Sequence, residues 1–183
     1  MKKQFLLFSL LCVTSSLFAQ EESKQSDITI SPYYLFSEPS HYGLSFELNK
    51  GISFGSGGGS SILQVAYGTM TYEVGNQEAD GTGYVIELGS RSYFKQNDSG
   101  VYTQNTLAYG NIQFEEQGYK GTYSYFSFLN PTVGYKIKVS DNFSIDPSVG
   151  VQWVIQMKGS GIIDNNYVDE WAGRFGIKVG YSF

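Results

Sequence analysis

Among its 183 residues the chain has one cysteine, one histidine and four prolines, and only 16% of it is charged. A lone Cys12 excludes an intramolecular disulfide framework and a multi-thiolate metal site. No run of 18 apolar residues exists, and beyond residue 20 the longest apolar run is 33–36. A helical membrane span is therefore excluded. Basic residues number 12 against 17 acidic ones. The positive footprint of a nucleic-acid binder is missing, so no nucleic-acid partner is expected. What the chain has in quantity is glycine (22), tyrosine (15) and phenylalanine (13). That composition is foreign to disordered chains, coiled coils and helical repeats.

The first residues read as an export address. Lys2 and Lys3 precede an apolar segment over 5–13 that holds Cys12, followed by small polar residues and Leu17-Phe18-Ala19. This is the layout of a secretory signal, with cleavage expected after Ala19. Its removal leaves 10 basic against 17 acidic residues, a charge near −7. The expected organisation is a signal peptide over 1–19, a polar leader over 20–26 and a β-barrel over 27–183.

From residue 27 onward, apolar and polar residues alternate with a period of two, and no helix-length stretch shows a period of 3.6. The end of the chain is the clearest case. Trp171, Phe175, Ile177, Val179, Tyr181 and Phe183 share one face; Glu170, Arg174, Gly176, Lys178 and Gly180 share the other. Likewise Ile145, Val149, Val151, Trp153 and Ile155 oppose Asp146, Ser148, Gly150 and Gln152. In the segment before, Tyr123, Tyr125, Leu129, Val133, Tyr135 and Ile137 oppose Ser124, Asn130, Thr132, Gly134 and Lys136.

Eight such segments are expected, with cores at 27–36, 42–54, 61–74, 82–94, 101–114, 122–139, 144–158 and 169–183. Their connections alternate in character. Tight turns are expected at 55–60, 96–100 and 140–142, where Gly, Asn and Asp tolerate positive φ. Longer or more acidic connections are expected at 37–41, 75–81, 115–121 and 159–168. Short turns at one end and longer loops at the other are the pattern of a membrane β-barrel. Segment 101–114 is the irregular member: its odd and even positions are both mixed, which predicts a bulge or a misplaced boundary.

Alternation alone also fits a secreted soluble barrel, and the occupants of each face decide against it. The polar face carries small residues and isolated charges: Glu47, Glu87, Arg91, Lys136, Asp146, Arg174 and Lys178. Such a set suits a narrow lumen where opposite charges pair away from water. Aromatic residues near segment ends suit interfacial girdles. Segments of ten or more residues match the roughly nine to eleven that a tilted strand needs to cross a bilayer.

The closing residues Gly176-Ile177-Lys178-Val179-Gly180-Tyr181-Ser182-Phe183 resemble the C-terminal signal of Gram-negative outer-membrane barrels. With the strand rhythm of 27–183, the chain resembles the small eight-stranded barrels of the OmpX and OmpA-transmembrane type. The resemblance implies that the barrel-assembly machinery reads Tyr181 and Phe183. It also implies an outer-membrane location with both termini in the periplasm, and outer-membrane lipid and lipopolysaccharide as surroundings. The lumen charges are expected to fill and rigidify the barrel. The expected role is non-enzymatic, through extracellular loops, in envelope integrity, adhesion or surface interaction; the alternative is a small-solute channel.

Candidate chemistry elsewhere is thin. His41 sits beside Pro39 in the first outer connection, near Glu38, Ser40 and Ser45, and is expected to be solvated rather than catalytic. Asp164, Asn165, Asn166, Asp169 and Glu170, with Glu115 and Glu116 elsewhere, offer oxygen ligands but no EF-hand spacing. The glycine run 55–59 lacks the Lys-Ser/Thr of a phosphate loop and reads as a hairpin. No catalytic residue, metal or cofactor is assigned.

Overall fold

The computed structural model describes residues 28–49, 58–74, 77–95, 99–116, 119–161 and 170–183. The expected signal segment and leader lie outside the described residues, as do most of the turns expected at 55–60 and 96–100 and the Asp164–Asp169 stretch.

Among the described residues nine strands follow one another: β1 (Ile28–Phe36), β2 (Ser40–Leu48), β3 (Gly59–Val74), β4 (Gln77–Tyr93), β5 (Gly100–Glu116), β6 (Tyr119–Leu129), β7 (Thr132–Lys138), β8 (Phe143–Gly161) and β9 (Trp171–Ser182). The pairing is antiparallel throughout, and β9 pairs with β1. Both β6 and β7 lie between β5 and β8. They are two halves of one stave, so the ring has eight staves in up-and-down order and no free edge along its pairing circuit.

The expectation of one unbroken segment over 122–139 is thus corrected. Register shifts lie between Ser124 and Tyr125 and between Phe126 and Leu129, and the ladder stops at Asn130-Pro131. Proline has no N–H to give a ladder, which confines it to breaks and bulges. Asn130 fills the gap: its side-chain nitrogen donates to the Thr106 carbonyl at 3.0 Å, and its backbone N–H donates to Asn105 Oδ1 at 2.9 Å. The break changes which face points in. Tyr123 and Tyr125, expected on the outward face with Val133 and Tyr135, are buried inside, while the consecutive Phe128 and Leu129 are both exposed.

Three further expectations change. Segment 101–114 contains no bulge; β5 runs through Gly100–Glu116 with unbroken register to β4. The connections at 75–81 and 115–121 are mostly ladder. Pairing of β3 with β4 continues to Val74 and Gln77, and that of β5 with β6 to Glu116 and Tyr119. The first connection is only the Ser37-Glu38-Pro39 turn, tied by Ser40 Oγ donating to the Ser37 carbonyl at 2.9 Å. His41 therefore lies on β2.

The outer surface carries a ring of aromatic side chains assembled by register. Tyr34 faces Tyr42, Tyr42 faces Tyr67, and Tyr67 faces Tyr84 across successive strands. The ring continues through Tyr109, Phe126, Phe128, Trp153 and Trp171, and Phe175 faces Phe36 on β1. Phe143, Tyr181 and Phe183 cluster outside at the end of the barrel where β1 begins and β9 ends. Between the two lies an aliphatic belt that includes Leu44, Val65, Ile86, Leu88, Val149 and Val179, all exposed. Trp171 and Tyr181 stand ten residues apart on β9. That is about 33 Å of strand, or about 25 Å of height at a tilt near 40°.

Candidate functional site

Within the described molecule the lumen is where buried charged groups converge. It has two storeys of opposite character. In the waist, the part girdled by the aliphatic belt, every second residue points inward, and the inward set is mostly polar while the outward set is apolar. Glu47 on β2, Glu87 and Arg91 on β4, Lys136 on β7, Asp146 on β8, and Arg174 and Lys178 on β9 all lie inside, each less than a tenth exposed.

Toward the end of the barrel where β1 begins and β9 ends, four of them form one network. Arg91 Nη1 lies 3.3 Å from Glu47 Oε2 and 2.8 Å from Asp146 Oδ2, and Lys136 Nζ lies 3.1 Å from Glu47 Oε2. Ser60 and Tyr93 hydroxyls donate to Glu47 Oε1 at 2.7 Å, and the Tyr102 hydroxyl donates to Asp146. The Arg91 guanidinium also donates to Gln104 and lies 3.7 Å from the Tyr102 ring centroid. Each carboxylate is thereby met by both charge and hydrogen bonds, the condition under which burying an ion pair is tolerable. Removing any member would strand its partners in a space with little water.

Halfway up the lumen, Arg174 Nη2 grips both oxygens of Glu87 at 2.8 and 2.9 Å. Thr106 Oγ1 donates to the same carboxylate at 2.8 Å, and Arg174 Nη1 donates to Gln152 at 3.3 Å. The sole histidine joins this group: the expectation of a solvated His41 is overturned, since it is fully buried. Its Nδ1 faces Glu87 Oε1 at 3.4 Å, and its Nε2 lies 3.2 Å from the Tyr125 hydroxyl. A histidine two residues past a proline reads as a loop residue. What buries it is its pairing with Gly68 on β3, a partner invisible from local sequence. The Gln64 amide joins this group to Lys178 within the waist, its nitrogen facing Glu87 at 3.2 Å and its oxygen accepting from Lys178 Nζ at 2.9 Å.

Above the aromatic ring the strands continue, and the two faces exchange character. Met70, Tyr72, Ala79, Val85, Ile112, Phe114 and Tyr123 point inward and form a dry plug. Thr71, Glu78, Asp80, Thr82, Gln113, Glu115 and Lys120 point outward. This crown is built like a soluble barrel standing on a membrane-type one. Glycines make room for its rings and those below. Gly81 faces Phe114, Gly110 faces Tyr125 and Gly134 faces Tyr102 across the ladder. A Cβ on Gly110 would run into the Tyr125 ring. A large aromatic laid over glycine is a known way to fill a closed sheet.

The aromatic plug was hidden in the sequence, because Ile112 and Phe114 have the parity of the polar lumen residues below them. The mixed pattern of 101–114 was its signal. Among the described residues, no group of three His, Cys, Asp or Glu side chains is placed to hold a metal ion.

A closed ring of eight antiparallel staves, an outward apolar belt and an ion-paired interior define the outer-membrane type of β-barrel. Solved structures with this fold agree. A major outer membrane protein from Thermus thermophilus superposes with a TM-score of 0.59 at 13% identity, covering 87% of this chain and all of that one. Neisserial surface protein A gives 0.57 at 12% identity, covering 89% and 100%. The N-terminal β-barrel domain of Pseudomonas aeruginosa OprF gives 0.51 at 19% identity, covering 88% and 100%. No family model and no curated protein sequence matches the chain.

Proposed function

We propose that the protein is an integral outer-membrane barrel that neither conducts nor catalyses and works through the crown it holds above the membrane. Its role in that reading is envelope integrity, adhesion or surface interaction. The observation that carries it is the filled lumen. From the network of Glu47, Arg91, Lys136 and Asp146, through Glu87 and Arg174, to the plug of Met70, Tyr72, Phe114 and Tyr123, side chains occupy every level. An eight-stranded barrel encloses space only wide enough for such filling.

The belt supports the membrane location. Its height matches the apolar band of about 25 Å on membrane barrels, and aromatic side chains border it on both sides. In this reading outer-membrane lipid covers the belt, and lipopolysaccharide surrounds the ring at Tyr42, Tyr67 and Tyr84. Both chain termini then face the periplasm and the crown faces outward. Tyr181 and Phe183, outward-facing at the end of β9, are the residues the barrel-assembly machinery would read.

A non-enzymatic role is supported by the polar groups themselves. His41, Glu87 and Arg174 form a histidine–carboxylate–cation set, yet all three are buried, each less than a tenth exposed. The test is ion conductance of the folded protein in planar bilayers, with heat-dependent gel mobility as the check that the barrel is intact. Intact barrels that give no stable openings support the reading. Reproducible unit conductance from intact barrels would overturn it in favour of a small-solute channel.

A further inference from the structure

We infer that the lumen seats one monovalent inorganic anion of halide size between Lys178, Arg174 and Tyr33. The first argument is charge. The described interior holds four basic side chains, Arg91, Lys136, Arg174 and Lys178, and three carboxylates, Glu47, Glu87 and Asp146. Glu47 is taken by Arg91 and Lys136, and Glu87 by Arg174. Asp146 is the cross-strand neighbour of Lys178, yet its carboxylate turns away to Arg91. Among the described residues no carboxylate lies within 4.0 Å of Lys178 Nζ, although the side chain is buried. A buried cation with no counter-charge is costly, and the cost falls when an anion accompanies it.

The second argument is shape and donor direction. A small cavity opens beside Lys178, with Tyr33, Gln64, Gln104, Ser148 and Arg174 in its wall. It has room for about one water-sized species. Two residues of its wall carry buried atoms without a hydrogen-bond partner among the described residues, the Tyr33 hydroxyl and Arg174 Nε, and the one partner of Lys178 Nζ, the Gln64 side-chain oxygen, is neutral. Ammonium and guanidinium groups can only donate, and a tyrosine hydroxyl is free to do so. A single species that accepts from all three and carries one negative charge satisfies both arguments. Water would satisfy the donors and leave the charge; a carboxylate-bearing solute is too large for the space.

The direct test is a bromide soak of crystals of the folded full-length barrel, with diffraction collected at the bromine edge. An anomalous peak in contact with Lys178 Nζ and Tyr33 Oη is expected, absent in Lys178→Met. Solution measurement complements it: the thermal midpoint in detergent is followed as chloride replaces gluconate at constant ionic strength. Chloride should stabilise the protein in a saturable way, and Tyr33→Phe should weaken that affinity about tenfold through one lost hydrogen bond to a charged group. Should Lys178→Met fail to fold, Tyr33→Phe alone carries the test. Water density in the cavity, bromide elsewhere only, or a chloride dependence equal in all variants would overturn the inference. So would a bromide peak without any saturable effect in solution, which would mark an adventitious ion only.

Discussion

The waist and the crown of this barrel are built by the same strands with opposite polarity. On β5 the change takes place within a single unbroken strand. Val101 and Tyr109 face outward in the waist, while Ile112 and Phe114 face inward in the crown. Along β3 the outward residue passes from Leu63, Val65 and Tyr67 to Thr71, and the inward residue from Gln64 to Met70 and Tyr72. The backbone does the same thing in both regions. In the membrane reading proposed above, what differs is the medium outside, and so what each interior must contain. Where lipid covers the outer face, apolar side chains go out and the lumen is left with charges that must pair. Where water covers it, the hydrophobic effect again drives apolar groups inward. The aromatic ring from Tyr34 to Trp171 marks the boundary between the two regimes.

Breaking the waist should cost most. Arg91→Met leaves Glu47 and Asp146 without their shared cation, and about 3–5 kcal/mol of stability should be lost. Urea unfolding of the vesicle-embedded barrel reads this. Phe114→Ala removes the ring at the centre of the crown's plug and should cost about 3–4 kcal/mol within that region. Hydrogen exchange should then rise at the tips of β3, β4 and β5 while the waist amides keep their protection. Loss of protection throughout would mean that the two storeys fold as one unit.

The boundary itself is sharpened by a pair of substitutions on one strand. Leu88→Lys places a charge in the belt and should cost about 2–4 kcal/mol in a lipid vesicle. Thr82→Lys, on the same outward face of β4 above the ring, should change stability by less than about 0.5 kcal/mol. Equal effects from the two would remove the distinction between belt and crown. Gly110→Ala pushes a methyl into the Tyr125 ring and should cost about 1–3 kcal/mol. The smallest effect is expected at the exposed Glu115–Lys120 ion pair. There Glu115→Ala should alter the unfolding midpoint by no more than the ~0–1 kcal/mol of a surface pair.

Legibility follows the same division. In the waist the period-two pattern is strong. Trp171, Phe175, Ile177 and Val179 against Arg174 and Lys178 leave one reading of which side is which. Wherever the medium changes partway along a strand, the pattern cancels, so β5 looked irregular although its register never slips. The connections at 75–81 and 115–121 looked like loops for the related reason that their outward residues are hydrophilic: Glu78, Asp80, Glu115 and Lys120. His41 and the Tyr123–Tyr125 face were misplaced by local signals, a nearby proline in one case and a bulge in the other. Neither position is decided within reach of its own sequence neighbours.

The sequence by itself determined an all-β chain, the parity of most strands and the residue types that enter the waist. Alternation at period two is a local property, and only a barrel of this kind leaves the apolar half facing out. The tertiary structure alone decided which charges meet, that Tyr125 shields His41, and that the lumen changes from ionic to aromatic with height. Those outcomes depend on cross-strand register and on pairs such as Glu87 and Arg174, 87 residues apart. Closing the ring is what brings such distant positions to the same level of one narrow space.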